Sequence, residues 1–328
     1  MKNETTFTCG IDVSKDTLDC CYNTPEGKEV HLKVSNDEKG FRELLKECGA
    51  RKYAMETSGP YYLSLALWLK ENGNSVCVEN ALVIKRFIQM NQERSKNDKK
   101  DARWIFQYSQ QRETKEWRVP AREQVESQQM LRGIELYSRQ RTMLLNQFHG
   151  VEALPWQSPE IKRSLKAMVK KIEGEIEKLQ SILEEKLETW APNQSENLQS
   201  IPGLGKRTAA MLIVFTEAFN KVENYRQLIC LAGLSPREYT SGSSVRGKTR
   251  ICKMGGGHLR SILYMCSMSA IKKNKACKAL YDRLRAKGKN GKVALIAVCN
   301  KLLKQAFAIA KSGQKYDENY MSQLVLKN

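Results

Sequence analysis

Four carboxylates in the first third of the sequence, Asp12, Glu56, Asp98 and Asp101, have the placement of a metal site. Asp12 lies in an apolar, alternating segment typical of a strand, where an unpaired charge is costly. Glu56 ends a second short apolar segment, and Asp98 and Asp101 begin a helical stretch on one face. Mg²⁺ prefers carboxylate oxygens, and clusters of them support phosphoryl transfer. The sequence therefore predicts an enzyme that acts on phosphodiesters.

Each of these carboxylates also has an ordinary structural interpretation. Acidic residues such as Asp98 and Asp101 are favoured at helix N-termini, and Glu56 can solvate a loop. Asp12 is the exception, because Gly10 and Ile11 indicate a strand too buried for an incidental charge. Taken together and in this order, the four residues favour the metal site.

The basic charge is concentrated at the C-terminal end of the chain. The net charge is +19, with 20 Lys and Arg against 18 Asp and Glu in residues 1–118, 11 against 12 in 119–198, and 24 against 6 in 199–328. The last segment alone therefore carries +18. Such a surface is typical of a protein that binds a polyanion through phosphate neutralisation. General solubilising charge is the alternative, and it is disfavoured because Gly-rich and aromatic segments interrupt the basic runs.

Composition excludes several other classes. A chain of 328 residues with 41% apolar content predicts two or three domains with real cores. No stretch suggests a membrane span or a signal peptide, so we expect a cytoplasmic protein. The ten cysteines form no C-x-x-C pair, so they suggest neither a zinc knuckle nor a disulfide framework. Three scattered histidines, His31, His149 and His258, do not suggest a His-based metal site or a catalytic triad.

The pattern of apolar residues predicts an α/β N-terminal domain followed by long helices. Residues 5–90 alternate strand-like and helical segments, whereas the periodicity is purely helical from about residue 122. Apolar positions between 161 and 187 recur at alternating threes and fours, as in a coiled coil. A helical hairpin with this stripe either pairs with a second chain or packs on its own domains. The pattern leaves both arrangements open.

Residues 198–212 resemble the hairpin of helix-hairpin-helix modules. Gly203 and Gly205 precede a helix, and backbone N–H groups at such a terminus can hold a DNA phosphate. Lys206 and Arg207 would add positive charge. A plain turn that starts a helix is the competing interpretation.

A Gly- and Ser-rich segment follows at residues 231–260. Glycine allows the backbone to approach a phosphate, and clustered basic side chains would stabilise charge at phosphorus. Its basic residues are Arg237, Arg246, Lys248, Arg250, Lys253 and Arg260. Ser241, Ser243 and Ser244 are either phosphate ligands, or one of them is a nucleophile.

Together these motifs resemble the Piv-like DEDD transposases of bacterial insertion sequences, which are bridge-RNA-guided DNA recombinases. The similarity spans essentially the whole chain in the right order, and its most specific part is SGSSVRG. The motifs are GIDVSK at 10–15, ETSG at 56–59, KNDKKDA at 96–102, IPGLG at 201–205, LAGLSPR at 231–237 and SGSSVRG at 241–247. Asn97 replaces the usual threonine of the third motif, which leaves the acidic residues intact.

The resemblance implies a fold, a mechanism and partners. The expected fold is an α/β RuvC-like (ribonuclease H-like) domain at 1–118, a coiled-coil hairpin at 119–198 and a mainly α, basic transposase domain at 199–328. Asp12, Glu56, Asp98 and Asp101 would bind Mg²⁺, and Ser241 would form a phosphoserine link to DNA, with Ser243 and Ser244 binding phosphate. Donor and target DNA, a structured guide RNA and a homodimer or homotetramer are the implied partners. The acidic cluster of one protomer would meet the serine domain of another.

Two other functions remain open at this point. In a RuvC-like junction nuclease, metal-activated water would attack and Ser241 would only bind phosphate. In a non-catalytic nucleic-acid chaperone, only the basic segment would matter. The carboxylates argue against the chaperone, and the SGSSVRG segment argues against the nuclease.

Overall fold

The computed structural model describes residues 7–57, 59–93, 97–242, 244–247 and 249–319. The chain divides into two compact units, Met1–Val119 and Pro120–Asn328. The first is a mixed α/β unit and the second is mainly helical, which confirms the predicted change of fold class along the chain.

The first unit is built on a five-stranded sheet. Its strands are β1 Thr8–Val13, β2 Thr17–Asn23, β3 Glu29–Ser35, β4 Lys52–Glu56 and β5 Ser75–Glu79, in the order β3-β2-β1-β4-β5. Its helices are α1 Glu38–Cys48, α2 Tyr62–Glu71, α3 Ala81–Met90 and α4 Asp98–Gln111. The first three strands are antiparallel, whereas β1, β4 and β5 run parallel. This arrangement is consistent with the RuvC-like domain that the resemblance implies.

Alternation along β1 separates the core from the functional face. Cys9, Ile11 and Val13 are buried in the main core of the unit, where residues of α1 and α2 also pack. The intervening side chains point to the opposite face. On that face Gly10 meets α4, and Asp12 projects beside it. The hydrophobic pattern therefore places Asp12 on the sheet face covered by α4.

The second unit begins with a long helical hairpin. Its two helices, α5 Arg122–Glu152 and α6 Pro159–Trp190, are 31 and 32 residues long. They are antiparallel partners in one chain, as the ion pairs Glu126–Lys186 and Arg141–Glu173 show. Pairing within the chain is thus one of the two arrangements that the apolar stripe allows. A coiled coil between chains remains a proposal.

The base of this hairpin belongs to the core of the second unit. Ile134, Leu183 and Leu187 are buried in the same hydrophobic cluster as residues of the helices that follow. Those helices are α7 Gln194–Gln199, α8 Lys206–Thr216, α9 Tyr225–Leu231, α10 Gly257–Lys273, α11 Lys275–Ala286 and α12 Gly291–Ser312. The predicted boundary between residues 198 and 199 therefore runs through shared packing, and the three-part division stays a prediction.

One helix corrects the prediction that no stretch suggests a membrane span. Helix α12 is long and apolar enough to cross a membrane by length and composition alone. Four lysines are the only charged residues in it. Buried residues including Val298, Leu302 and Ala306 pack in the core of the second unit. This packing accounts for its apolar character.

Candidate active-site residues

The first pair of acidic residues lies where neighbouring parallel strands end. Strands β1 and β4 are paired in a register that places Ile11 beside Met55. Asp12 and Glu56 are the next residues along each strand, so they emerge at the same edge of the sheet. The sequence predicts Asp12 within one strand and Glu56 at the end of another, and the observed register brings these two positions next to each other.

Helix α4 brings the second pair to the same edge. Asn97 caps the helix by accepting a hydrogen bond from the backbone N–H of Lys100 at 2.8 Å, and Asp98 and Asp101 lie in the first turn. The helix lies directly against β1 because residue 10 is glycine. A Cβ there would be 2.2 Å from the backbone nitrogen of Phe106. Gly10 thereby sets the distance between the helix and Asp12.

The other three carboxylates act electrostatically on Asp12. The pKa of Asp12 is raised from 3.8 to about 7, chiefly by burial. The negative charges of Asp101, Glu56 and Asp98 contribute the next largest parts of this increase, in that order. Like charges at short range disfavour ionisation, and a bound cation removes the penalty. A site of carboxylate oxygens suits a hard divalent cation such as Mg²⁺.

A fifth carboxylate at this edge was missed from the sequence. Asp19 lies directly opposite Asp12 in the β1–β2 ladder and also raises the pKa of Asp12. Lys33 on β3 contacts Asp19 at 2.9 Å, and this hydrogen bond raises the pKa of Lys33. The signal was present, because a tight turn between two alternating strands predicts which residues face each other.

The same sheet also carries a group of three possible metal ligands, which the wide spacing of the histidines in the sequence did not indicate. The ligand atoms of Cys21, Glu29 and His31 lie within 4.8 Å of one another. Glu29 is already paired with His31 Nε2 at 3.1 Å and with Arg103 Nε at 3.1 Å. The contacts of Glu29 with His31 and Arg103 explain why these side chains lie together at the start of β3, without a metal ion.

Ser241 lies on an exposed β-hairpin of the second unit. The strands are β6 Pro236–Arg237, β7 Thr240–Ser241, β8 Val245–Arg246 and β9 Arg250–Ile251. Strand β6 pairs with β9, and β7 pairs with β8 between them, so one antiparallel pair follows the other along the hairpin. Ser241 lies opposite Val245 in the β7–β8 pair. Gly242 has a φ of +55° and begins the turn. Ser241 and Ser244 are both exposed, whereas Ser243 and Lys248 lie outside the described residues.

Two predicted nucleic-acid ligands face each other on this hairpin. Arg237 lies directly opposite Arg250 in the β6–β9 ladder, and both are exposed. Like charges in this position destabilise a sheet, so the pair is suited to an anion that neutralises both. The backbone of Arg246 pairs with that of Thr240. Predicted ligands thus share the hairpin with Ser241.

Two other predicted ligands lie at the base of the hairpin. Lys253 is exposed and has a φ of +59°. Arg260 has a structural contact, since its Nη1 donates to the backbone carbonyl of Ala232 at 3.0 Å. It also lies close to Gly233, where a Cβ would be 2.5 Å from Nη1. Arg260 therefore links α10 to the backbone at Ala232, before the hairpin. Its charge alone did not indicate this structural role.

The predicted helix-hairpin-helix segment forms the turn between α7 and α8. Gly203 has a φ of +105° and packs against Ala270, where a Cβ would be 2.7 Å from the alanine Cβ. Gly205 caps α8 and has open space beside it. Lys206 contacts Glu184 at 3.2 Å, while Arg207 Nε is buried without a hydrogen-bond partner. Gly203 and Gly205 thus precede α8, as both interpretations of the sequence require, and phosphate binding by this turn stays a prediction.

Known protein families match both the segment with the acidic residues and the segment with Ser241. A family model described as a transposase, of the DEDD type of IS110, matches residues 9–151. A second model, described as the transposase IS116/IS110/IS902 family, matches residues 195–282. The acidic cluster lies within the first match, and Ser241 lies within the second.

Curated relatives are similar over nearly the whole chain. A pilin gene-inverting protein of Moraxella lacunata is 27% identical over 320 residues, covering 94% of this chain and 97% of the relative. Its counterpart in Moraxella bovis is 26% identical over 319 residues with the same coverage. A transposase for insertion sequence element IS1111A of Coxiella burnetii is 22% identical over 334 residues, covering 89% of this chain and 86% of the relative. The two family models and these relatives agree, and the chain belongs to the IS110-type family of DEDD transposases.

Proposed function

We propose that this protein is an insertion-sequence transposase that cuts and exchanges DNA strands through a phosphoserine link at Ser241. The observation that carries the proposal is the exposed hydroxyl of Ser241 on a hairpin where Arg237 lies opposite Arg250. An exposed hydroxyl, on a segment that also carries two arginines at facing strand positions, suits attack on a phosphodiester.

The proposed step balances as a phosphoryl transfer. Ser241 Oγ attacks a backbone phosphorus and loses its proton as the Oγ–P bond forms. The bond from phosphorus to the 3′ oxygen breaks, and that oxygen takes up a proton to become a 3′ hydroxyl. The 5′ phosphate stays on the serine until a 3′ hydroxyl from another strand displaces it. Arg237 and Arg250 would stabilise the extra negative charge at phosphorus during both transfers.

The acidic cluster would hold Mg²⁺. Asp12, Glu56, Asp98 and Asp101 offer only oxygen ligands. Burial and then the negative charges of the other three carboxylates raise the pKa of Asp12, and a bound cation would offset both effects. When bound, the ion would neutralise charge on the phosphate and favour ionisation of an attacking hydroxyl. Lys33, paired with Asp19, would keep the fifth carboxylate out of the metal site.

Nucleic acid would contact the basic residues of the second unit. The proposed contacts are Gly203, Gly205, Lys206, Arg207, Arg237, Ser243, Ser244, Arg246, Lys248, Arg250, Lys253 and Arg260. Backbone N–H groups at the start of α8 and the cations of the hairpin would neutralise phosphates without reading bases. The pilin gene-inverting relatives support a substrate of DNA segments that are cut and rejoined. A structured guide RNA would then supply sequence choice.

A composite site made by two protomers is part of the proposal. The acidic cluster and Ser241 belong to different units of the chain, and the resemblance implies that they meet between protomers of a dimer or tetramer. The helical hairpin leaves apolar side chains exposed that a second copy could cover. These are Leu136, Met143, Ile161 and Met168.

A metal-dependent junction nuclease is the second candidate, favoured by one observation. The four carboxylates converge within the first unit alone, so the metal site needs nothing from Ser241. In that case water would be the nucleophile, and no DNA would become attached to the protein.

A covalent adduct separates these two functions. Labelled donor and target DNA are incubated with the protein, guide RNA and Mg²⁺, then run on a denaturing gel. The proposal predicts a protein–DNA band that disappears in Ser241→Ala, whereas the matched control Ser244→Ala keeps it at reduced intensity. Cleavage and rejoining by Ser241→Ala at the wild-type level would refute the serine mechanism and favour the nuclease.

A further inference from the structure

A groove between α11 and α12 combines small side chains with unpaired positive charge. It has a volume of about 570 Å³. Three alanines, Ala276, Ala279 and Ala297, keep it open, and three cations, Arg283, Lys301 and Lys304, line it. It is separate from the serine hairpin and from the turn before α8.

The charge around this groove is one-sided. Residues 275–312 contain ten basic residues and one acidic residue, Asp282. That carboxylate is paired with Lys278 at 2.8 Å. Within the described residues, no carboxylate lies within ion-pair distance of Arg283 or Lys301. Lys304 is held 4.8 Å from the ring centre of Tyr225. Among the residues that the structure describes, no carboxylate therefore neutralises Arg283 or Lys301 of the groove.

We propose that this groove binds the phosphodiester backbone of a nucleic acid. Three cations lining a concave strip match a row of phosphates, and phosphate contacts dominate nucleic-acid affinity. The residues that line the groove include no aromatic ring, so base stacking does not contribute there. Alanine side chains allow a strand to approach the helices closely. Binding is consequently independent of sequence.

The groove extends the nucleic-acid surface beyond the part that the family models cover. The second model ends at residue 282, whereas Arg283 and the whole of α12 follow it. The inference rests on the proposed function only in taking nucleic acid as the ligand, and it requires no phosphoserine chemistry.

Binding by the double variant Arg283→Gln/Lys301→Gln tests the groove. The variant is made in the full chain on a Ser241→Ala background without Mg²⁺, so that failure of the serine mechanism does not affect the result. Fluorescence anisotropy measures affinity for mixed-sequence single-stranded DNA, duplex DNA and an RNA hairpin across a salt series. Two lost phosphate contacts should reduce the log–log salt slope by about 1.4 on single strands and about 1.8 on duplex DNA. The nucleic acid with the largest loss identifies the ligand.

Two further variants make the result specific to the groove. Lys289→Gln/Lys292→Gln removes the same charge from exposed residues outside it, and it should lower the slope much less. Ala279→Trp fills the groove without changing charge and should lower affinity with an unchanged unfolding temperature. Equal losses in both double variants, or normal binding by Ala279→Trp, would overturn the proposal. Arg283→Gln/Lys301→Gln is also tested for binding to phosphatidylserine vesicles. If this variant loses vesicle binding but keeps normal nucleic-acid binding, the proposal is overturned and the groove contacts a membrane surface instead.

Discussion

Replacing Asp12 by asparagine should stabilise the metal-free protein at alkaline pH. Asp12 has a pKa of about 7 in the folded chain against 3.8 as the ordinary value, chiefly because it is buried and then because Asp101, Glu56 and Asp98 repel its charge. The folded pKa lies above the unfolded one, so ionisation destabilises the fold. The penalty is absent below about pH 4, grows as the pH rises, and is complete above about pH 7.

The size of this penalty follows from the pKa difference. Each pKa unit corresponds to about 1.4 kcal/mol, which gives an upper limit of about 4 kcal/mol. Solvent screening of a partly accessible carboxylate reduces that value. We therefore expect Asp12→Asn to raise the free energy of opening by about 1–3 kcal/mol at pH 8, and to have little effect near pH 4.

Hydrogen exchange of peptides from residues 8–23 measures the effect in the full chain. EDTA keeps the protein free of metal, and protection is compared from pH 5 to pH 9 after correction for intrinsic exchange. Asp16→Asn is the matched control, because Asp16 is an exposed residue of the adjacent turn. A stability gain that is equal at all pH values, or one that Asp16→Asn reproduces, would refute the electrostatic account of the cluster.

Other consequences can be tested with strand cleavage and binding assays. Asp12→Asn and Glu56→Gln should each reduce cleavage by at least about 100-fold, since even indirect metal contacts are worth about 10- to 100-fold, while DNA binding at low Mg²⁺ stays near wild type. Gly10→Ala should lower stability by about 1–3 kcal/mol or more and reduce cleavage, because its Cβ would collide with α4; Gly174→Ala, in an open helical position, should do neither. Mixing Asp12→Asn with Ser241→Ala protein should restore cleavage if two protomers share the site, and continued inactivity of the mixture would contradict that arrangement.

The face of β1 that carries Asp12 could be predicted because strand alternation is a local property. Cys9, Ile11 and Val13 identify the buried face of β1, which leaves Asp12 on the other. Asp19 was missed because its position opposite Asp12 depends on the register that the tight turn between β1 and β2 sets, and apolar alternation alone does not give that register. The close approach of α4 depends on Gly10, and a glycine in a strand does not by itself indicate what packs on it.

The C-terminal segment was harder to predict for a different reason. Strands β6 to β9 contain two residues each, which is too short for alternation to appear. The sequence therefore gives no strand signal in residues 231–260, and it does not predict that Arg237 lies opposite Arg250. Similarly, an apolar stripe on α6 predicts a partner helix without identifying it, and the structure pairs it with α5 in the same chain.

Mass spectrometry of the trapped adduct tests the central claim most directly. Trypsin cuts after Arg237 and Arg246, so residues 238–246 form one peptide that contains Ser241 together with Thr240, Ser243 and Ser244. After the reaction is quenched and the DNA is digested, fragmentation of this peptide locates any attached nucleotide. The account predicts a 5′-linked nucleotide on Ser241. A nucleotide on another hydroxyl, or an unmodified peptide from a reaction in which strands were cut, would contradict it.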